Sequence, residues 1–196
     1  MKRIVFAEGK YDVLLLRKVL ETCSGSVEVT NFIGEDVVSS IGGEESRAVR
    51  SFIERRNPYH LLLKSEGGKS DLKRLFAQLM PELYNEEVAY NLLIDLDGGS
   101  FQGIQSEINE RCESYTVDIA VEVNECTTSN AHLLGYNCSV NLNGETRDSF
   151  NAVGFTHSME TSAGIEKDQD NDEKREKIHR LSRNDSVTEP IKDLLF

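Results

Sequence analysis

Short apolar runs alternate along this chain with longer stretches whose apolar residues recur at helical spacing. Residues 3–7 (RIVFA) read as a strand, and 10–23 as a helix with Val13, Leu16, Leu20 and Cys23 on one face. Asp12, in its first turn, suits the positive end of the helix dipole. Gly25 breaks the helix, and 27–33 alternates as a second strand. A helix over 44–56 takes Ala48, Val49, Phe52 and Ile53 as its apolar stripe, and Pro58 closes it. Residues 59–64 (YHLLLK) form a further strand, followed by the tight glycine turn 65–69 (SEGGK). Ser70 then caps a helix whose Leu72, Leu75, Phe76, Leu79 and Met80 face inward, ending at Pro81.

The next strand, 88–96, climbs through NLLIDLDGGS (91–100) into two aspartates and a glycine pair. Such an apolar run reads as a buried strand of a parallel sheet. Ser100 caps a helix to about residue 113, with Phe101, Ile104, Ile108 and Cys112 inward, and 116–123 (TVDIAVEV) is again a strand. Strands and helices in this order predict an α/β domain over 1–123, with a mostly parallel central sheet and helices on both faces. Residues 34–57 read as an insertion within it. Beyond Asn124 the pattern weakens. Residues 124–165 read as a less regular, β-rich or irregular extension, in which Asn143-Gly144 signals a hairpin. Residues 166–196 open with a dense charge run that has Ile178 and Leu181 to bury. The run reads as a solvated helix or a disordered tail, and its apolar end (191–196) docks against the rest.

The polar residues at strand ends carry the chemistry. Alternation along the strand predicts that Asp95 and Asp97 share a face, with Cα atoms roughly 6.5 Å apart. In open α/β sheets ligands bind just beyond the carboxyl ends of the strands. Two carboxylates there suit a hard cation such as Mg²⁺, which takes one or two carboxylates and keeps waters. Glu8 stands at the carboxyl end of the first strand.

Composition narrows the classes. The chain has 196 residues, 38% of them hydrophobic, enough for one α/β domain with a small extension. No apolar run approaches the roughly 20 residues that span a bilayer, and MKRIVFAEGK lacks the apolar core of a signal peptide. The expectation is a cytoplasmic protein without a membrane partner. Cys23, Cys112, Cys126 and Cys138 have no CxxC spacing, which argues against a zinc site and for free thiols. The net charge of −12 repels nucleic acid at low salt. It also fits a salt-rich cytoplasm, in which phosphate contacts are weakened in any case.

Three segments stand in order: FAEGKYDVLLLRKVL with Glu8, KSEGGKSDLKRLF with Gly67-Gly68-Lys69, and LLIDLDGG with Asp95 and Asp97. Together they resemble the Toprim domain of topoisomerases, primases and a set of nucleases, over about 1–123. The GGK turn is nearer to the branch of OLD-type and ribosomal-RNA-maturing nucleases. The resemblance implies a Toprim/Rossmann-like fold and Mg²⁺-dependent phosphodiester chemistry on DNA or RNA, with Mn²⁺ as an alternative ion. It implies that Glu8 is a general acid or base that also assists the metal, and that Asp95 and Asp97 hold that metal. Lys10 and Asp12 match positions charged in the nuclease branch, and Lys69 would contact phosphate. The plainer readings make Lys10 and Asp12 first-turn helix residues and the glycine pair an ordinary turn. Many family members carry a third acid where this chain has Gly99. Zinc-ribbon cysteines are missing, and a topoisomerase would need a tyrosine-bearing domain, so a water-activating nuclease is the form of this chemistry that fits.

Two other readings compete. A Toprim-like module that binds metal or nucleic acid without cutting it would act as an accessory subunit, and OLD-type nucleases join their Toprim domain to an ATPase. LLIDLDGG also looks like the first motif of haloacid-dehalogenase-like phosphatases, with Asp95 as nucleophile. That motif stands near the start of those chains, whereas here strands and helices precede it.

Overall fold

A computed structural model describes residues 1–23, 28–33, 44–54, 58–86, 88–113 and 118–196. In chain order they form β1 (Arg3–Ala7), α1 (Lys10–Glu21), β2 (Val29–Ile33), α2 (Glu44–Glu54), β3 (Leu61–Ser65) and α3 (Lys69–Asn85). Then come β4 (Ala89–Asp95), α4 (Phe101–Cys112), β5 (Ile119–Ser129), β6 (Leu133–Leu142) and β7 (Glu145–Phe155). Three helices close the chain: α5 (Met159–Ala163), α6 (Asn171–Leu181) and α7 (Asp185–Leu195). The break expected at Gly25 lies outside the described residues, as do 34–43 and 55–57 of the expected insertion and the start of the strand expected at 116.

All the strands join one sheet in the order β2-β3-β1-β4-β7-β6-β5. The pairings from β2 to β7 are parallel, and those of β6 with β7 and with β5 are antiparallel. The mixed α/β fold with a mostly parallel sheet is thus the one expected. The apolar runs of the central strands are continuous because both faces are covered. Ile4, Phe6, Leu62, Leu92, Ile94 and Ala152 face α2, α3 and α4. Their neighbours Val5, Ala7, Leu61, Leu63, Leu93 and Val153 face α1, α5, α6 and α7. On the first face Phe76 of α3 meets Phe6, Phe150 and Tyr90 edge-on, with centroids 5.5, 5.0 and 5.9 Å away. One ring thus packs over β1, β4 and β7 together.

Sequence and structure differ at two helix ends. Ser70 lies inside α3, whose N-cap is Gly68, and α3 runs past Pro81 to Asn85. Ser100 does occupy the N-cap of α4, but its side chain makes no capping bond. The larger difference follows Val123. β5 runs straight across the boundary expected there, and the hairpin turning at Asn143-Gly144 seats β7 directly beside β4. Of the two readings of 124–165, β-rich or irregular, the β-rich one with its hairpin is what forms, and it completes the sheet rather than extending it. The charged tail forms α6 and α7, burying Ile178, Leu181, Val187, Ile191 and Leu195 in the layer that covers α1.

Two asparagines, Asn91 buried and Asn151 half-buried, fasten that tail. Asn91 of β4 donates to the Leu195 carbonyl at 3.0 Å, and Asn151 of β7 donates to the Leu194 carbonyl at 2.9 Å. The last carbonyls of a helix have no intrahelical partner, so these amides satisfy groups that would otherwise be stranded against the sheet. The Asn91 side-chain oxygen also accepts the Asn151 backbone N–H at 3.0 Å. Asn91→Ala is expected to cost about 1–3 kcal/mol of unfolding free energy. Amides of α7 should exchange faster in that variant while those of α3 keep their protection, as read by hydrogen exchange. Among the described residues no helix is long and apolar enough to cross a membrane.

Candidate active site

β3, β1, β4 and β7 are neighbours and parallel, so their carboxyl ends open on one edge of the sheet. Ser65 lies opposite Ala7, Ala7 opposite Leu93, and Asp95 opposite Phe155. The residues that follow these strands come together as a consequence: 66–69, Glu8, 96–99 and 156–160. β1 and β4 send their chains to opposite faces, through α1 and α4 respectively. Such a reversal opens a crevice at the strand ends. Glu8 and Asp95 stand on its two sides.

Asp95 ends β4 and is only 8% exposed. Its Oδ1 accepts the backbone N–H of Met159, the first residue of α5, at 2.9 Å. Burial foremost, and then the charge of Glu8, push its carboxyl from the ordinary 3.8 up to about 7. Glu8 is likewise raised, chiefly by burial, although Lys69 and the Asp95 backbone N–H pull it down. Its Oε2 is buried without a hydrogen-bond partner. Asp12 lies well above the usual carboxylate range, because it is buried and because Asp95 is close. It accepts the Gly9 backbone N–H at 2.8 Å, so it caps α1 as well as belonging to the carboxylate group.

Asp97 is placed differently from the expectation. β4 stops at Asp95, and Asp97 and Gly98 take left-handed φ values of 52° and 76°. The two aspartates do not share a strand face. Leu96, Asp97 and Gly98 donate their N–H groups to the carbonyls of Phe155, His157 and Thr156 at 2.8, 2.8 and 2.7 Å. The extension of β7 thereby curls the chain into a turn that turns Asp97 outward, its side chain 69% exposed and paired with the Lys69 ammonium. Lys69 begins α3 directly after Gly67, whose φ of 75° makes the turn, and Gly68. Lys10 turns away onto the ring of Tyr11, 5.3 Å from its centroid. A Cβ on Gly99 would lie 3.0 Å from the Leu96 carbonyl, so a third acid at that position would strain this turn.

The sequence reading misses Glu160, whose charge raises Glu8, Asp12 and Asp95 alike. It arrives one residue after the amide that holds Asp95, on a segment far along the chain. The hairpin signal at Asn143-Gly144 was the available hint, because it returns β7 to β4. Also unforeseen is Ser65, fully buried at the end of β3 with an unpartnered hydroxyl. His157, assigned no role from the sequence, places its ring beside Gly98. Among the described residues no three His, Cys, Asp or Glu side chains converge as a ready metal cage.

No family model matches the sequence, and no curated protein does. Among solved structures, a de novo designed protein of P-loop NTPase fold aligns over 57% of this chain and 75% of its own, at 17% identity and a TM-score of 0.36. A likeness that distant carries no argument about this chain.

Two outcomes follow from this geometry. The folded protein holds protons on Asp95 more tightly than the unfolded chain does. Its contribution to stability is therefore complete below the ordinary 3.8 and is lost as pH rises toward about 7. In chelator-treated protein the melting temperature should fall over that window, less steeply in Asp95→Asn, as differential scanning calorimetry would read. Gly154, opposite Ile94, leaves room for Leu96, whose carbons lie 2.6–2.8 Å from where a Cβ would stand. Gly154→Ala should cost about 1–3 kcal/mol in denaturant unfolding and displace the Asp97 turn.

Proposed function

We propose that this chain is a Toprim-like module performing Mg²⁺-dependent phosphodiester chemistry on DNA or RNA. The observation that carries the reading is the meeting of Glu8 and Asp95 across the β1–β4 crevice. They arrive there from two distant segments, with Asp97 and Lys69 on the adjoining turns. The residues fit a hard divalent ion. Glu8 leaves a buried oxygen without a partner, and burial holds Glu8, Asp12 and Asp95 toward their protonated forms. A cation would let them ionise. Mg²⁺ takes one or two carboxylates and completes its shell with water and substrate oxygens.

Bound there, the ion would polarise the phosphate and neutralise charge developing in phosphoryl transfer. Asp95, fixed by the Met159 amide, and Asp97 would hold the ion. Glu8, with a raised carboxyl and a free oxygen, would move the proton at the attacking or leaving oxygen. Glu160 would add negative charge where the pattern's third acid is missing. The net charge of −12 favours moderate to high salt for acidic partners, or a separate subunit such as an ATPase to bring the substrate. Four free cysteines suit a cytoplasmic setting.

The test is cleavage of DNA and of RNA with Mg²⁺ or Mn²⁺ over a wide salt range. Wild type should cut, and Glu8→Gln and Asp95→Asn should each lose at least about a hundredfold in rate, the usual scale for a positioned acid or base. Cleavage that survives both substitutions would overturn the assignment. Metal binding without cleavage would favour an accessory module, a reading that Gly99 in place of a third acid supports. Hydrolysis of a small phosphate ester, lost in Asp95→Asn yet kept in Glu8→Gln, would indicate a phosphatase.

A further inference from the structure

The turn after β3 and the turn after β4 are joined by one side chain, that of Lys69. β1 lies between these strands, so the contact from Lys69 to Asp97 spans the end of β1, where Glu8 follows. Lys69 is largely covered, its side chain 20% exposed against 69% for Asp97. An exposed ion pair alone is worth little. This one sits over a set of buried carboxylates, and the Lys69 charge acts on both Glu8 and Asp95 in the direction that favours their ionised forms. The other cations of α3 have partners elsewhere, Lys73 on Glu107 and Arg74 on Asp71.

We infer that Lys69 is a built-in counter-ion that competes with the divalent metal for Asp97 and its neighbouring carboxylates, and that it is released toward phosphate when the metal enters. The inference rests on the proposed metal reading and adds a regulatory step to it. Carboxylates left without any cation would repel one another in the metal-free protein. The lysine relieves that repulsion at the cost of weaker metal binding. It then stands free at the mouth of the site, where an anionic substrate would approach. Metal loading and substrate charge would therefore support each other, because phosphate draws the ammonium away from Asp97.

The experiment is Mn²⁺ binding by calorimetry and by the bound-ion resonance signal, with no substrate present. Lys69→Met should bind Mn²⁺ about threefold or more tightly than wild type, the scale of a lost competing ion pair. Lys69→Arg should stay near wild type. Lys73→Met, which removes the same charge from the same helix, should change affinity by less than about twofold, the scale of a distant screened charge. A second measurement uses wild type alone: acylation of Lys69 by an activated ester should speed up when Mn²⁺ is added, while that of Lys73 does not. Equal or weaker binding by Lys69→Met, or Lys69 acylation indifferent to Mn²⁺, would overturn the inference. If wild type binds Mn²⁺ and Asp95→Asn does not, the metal reading stands even where the lysine result fails. Absence of Mn²⁺ binding in both wild type and Lys69→Met would remove the two together.

Discussion

The parallel pairing of β1 with β4 is the contact on which the rest of the molecule depends. With Ala7 opposite Leu93, the ends of both strands share one crevice, which brings together Glu8, Asp95 and the 96–99 turn. A slip of β4 by one residue against β1 would exchange the two faces of β4. Ile94 would leave the side under α3, and Asp95 would be displaced from Glu8. The register is held from both sides by apolar layers and at the far end by Asn91, which ties β4 to β7 and to the end of α7.

Gathering acids at one point carries a cost that the structure distributes. Asp95 is steadied by the Met159 amide, Asp12 by the Gly9 amide, and Asp97 by the Lys69 ammonium. Glu8 keeps one oxygen unmatched. Backbone donors fix geometry without cancelling charge, so the carboxyls remain proton-hungry and receptive to a cation. Rigid strand ends and uncompensated charge together make this edge of the sheet the place where chemistry is expected.

The C-terminal third is structurally inseparable from that edge. The end of β7 and the two residues after it supply the carbonyls that curl the 96–99 turn, Gly154 leaves room for Leu96, and α5 brings both the amide on Asp95 and the charge of Glu160. The first 123 residues contain β1 to β4 but lack β6, β7 and α5, of which β7 and α5 stand beside Asp95.

By itself the sequence determined the α/β class, most of the elements and the two strand-end acids. Apolar periodicity and glycine turns are local properties, and Glu8 and Asp95 each follow directly on an apolar strand. Three things were left to the tertiary structure: that Asp97 turns outward onto Lys69, that Glu160 joins the acids, and that the charged tail forms a helix layer. Each depends on contacts between segments remote in the chain. Hydrogen bonds from 96–98 to 155–157 override the strand's alternation at Asp97. The apolar stripe of α7 becomes legible only against α1 and the sheet it covers. Local patterns name the elements, and nonlocal hydrogen bonds and burial set where their last residues point.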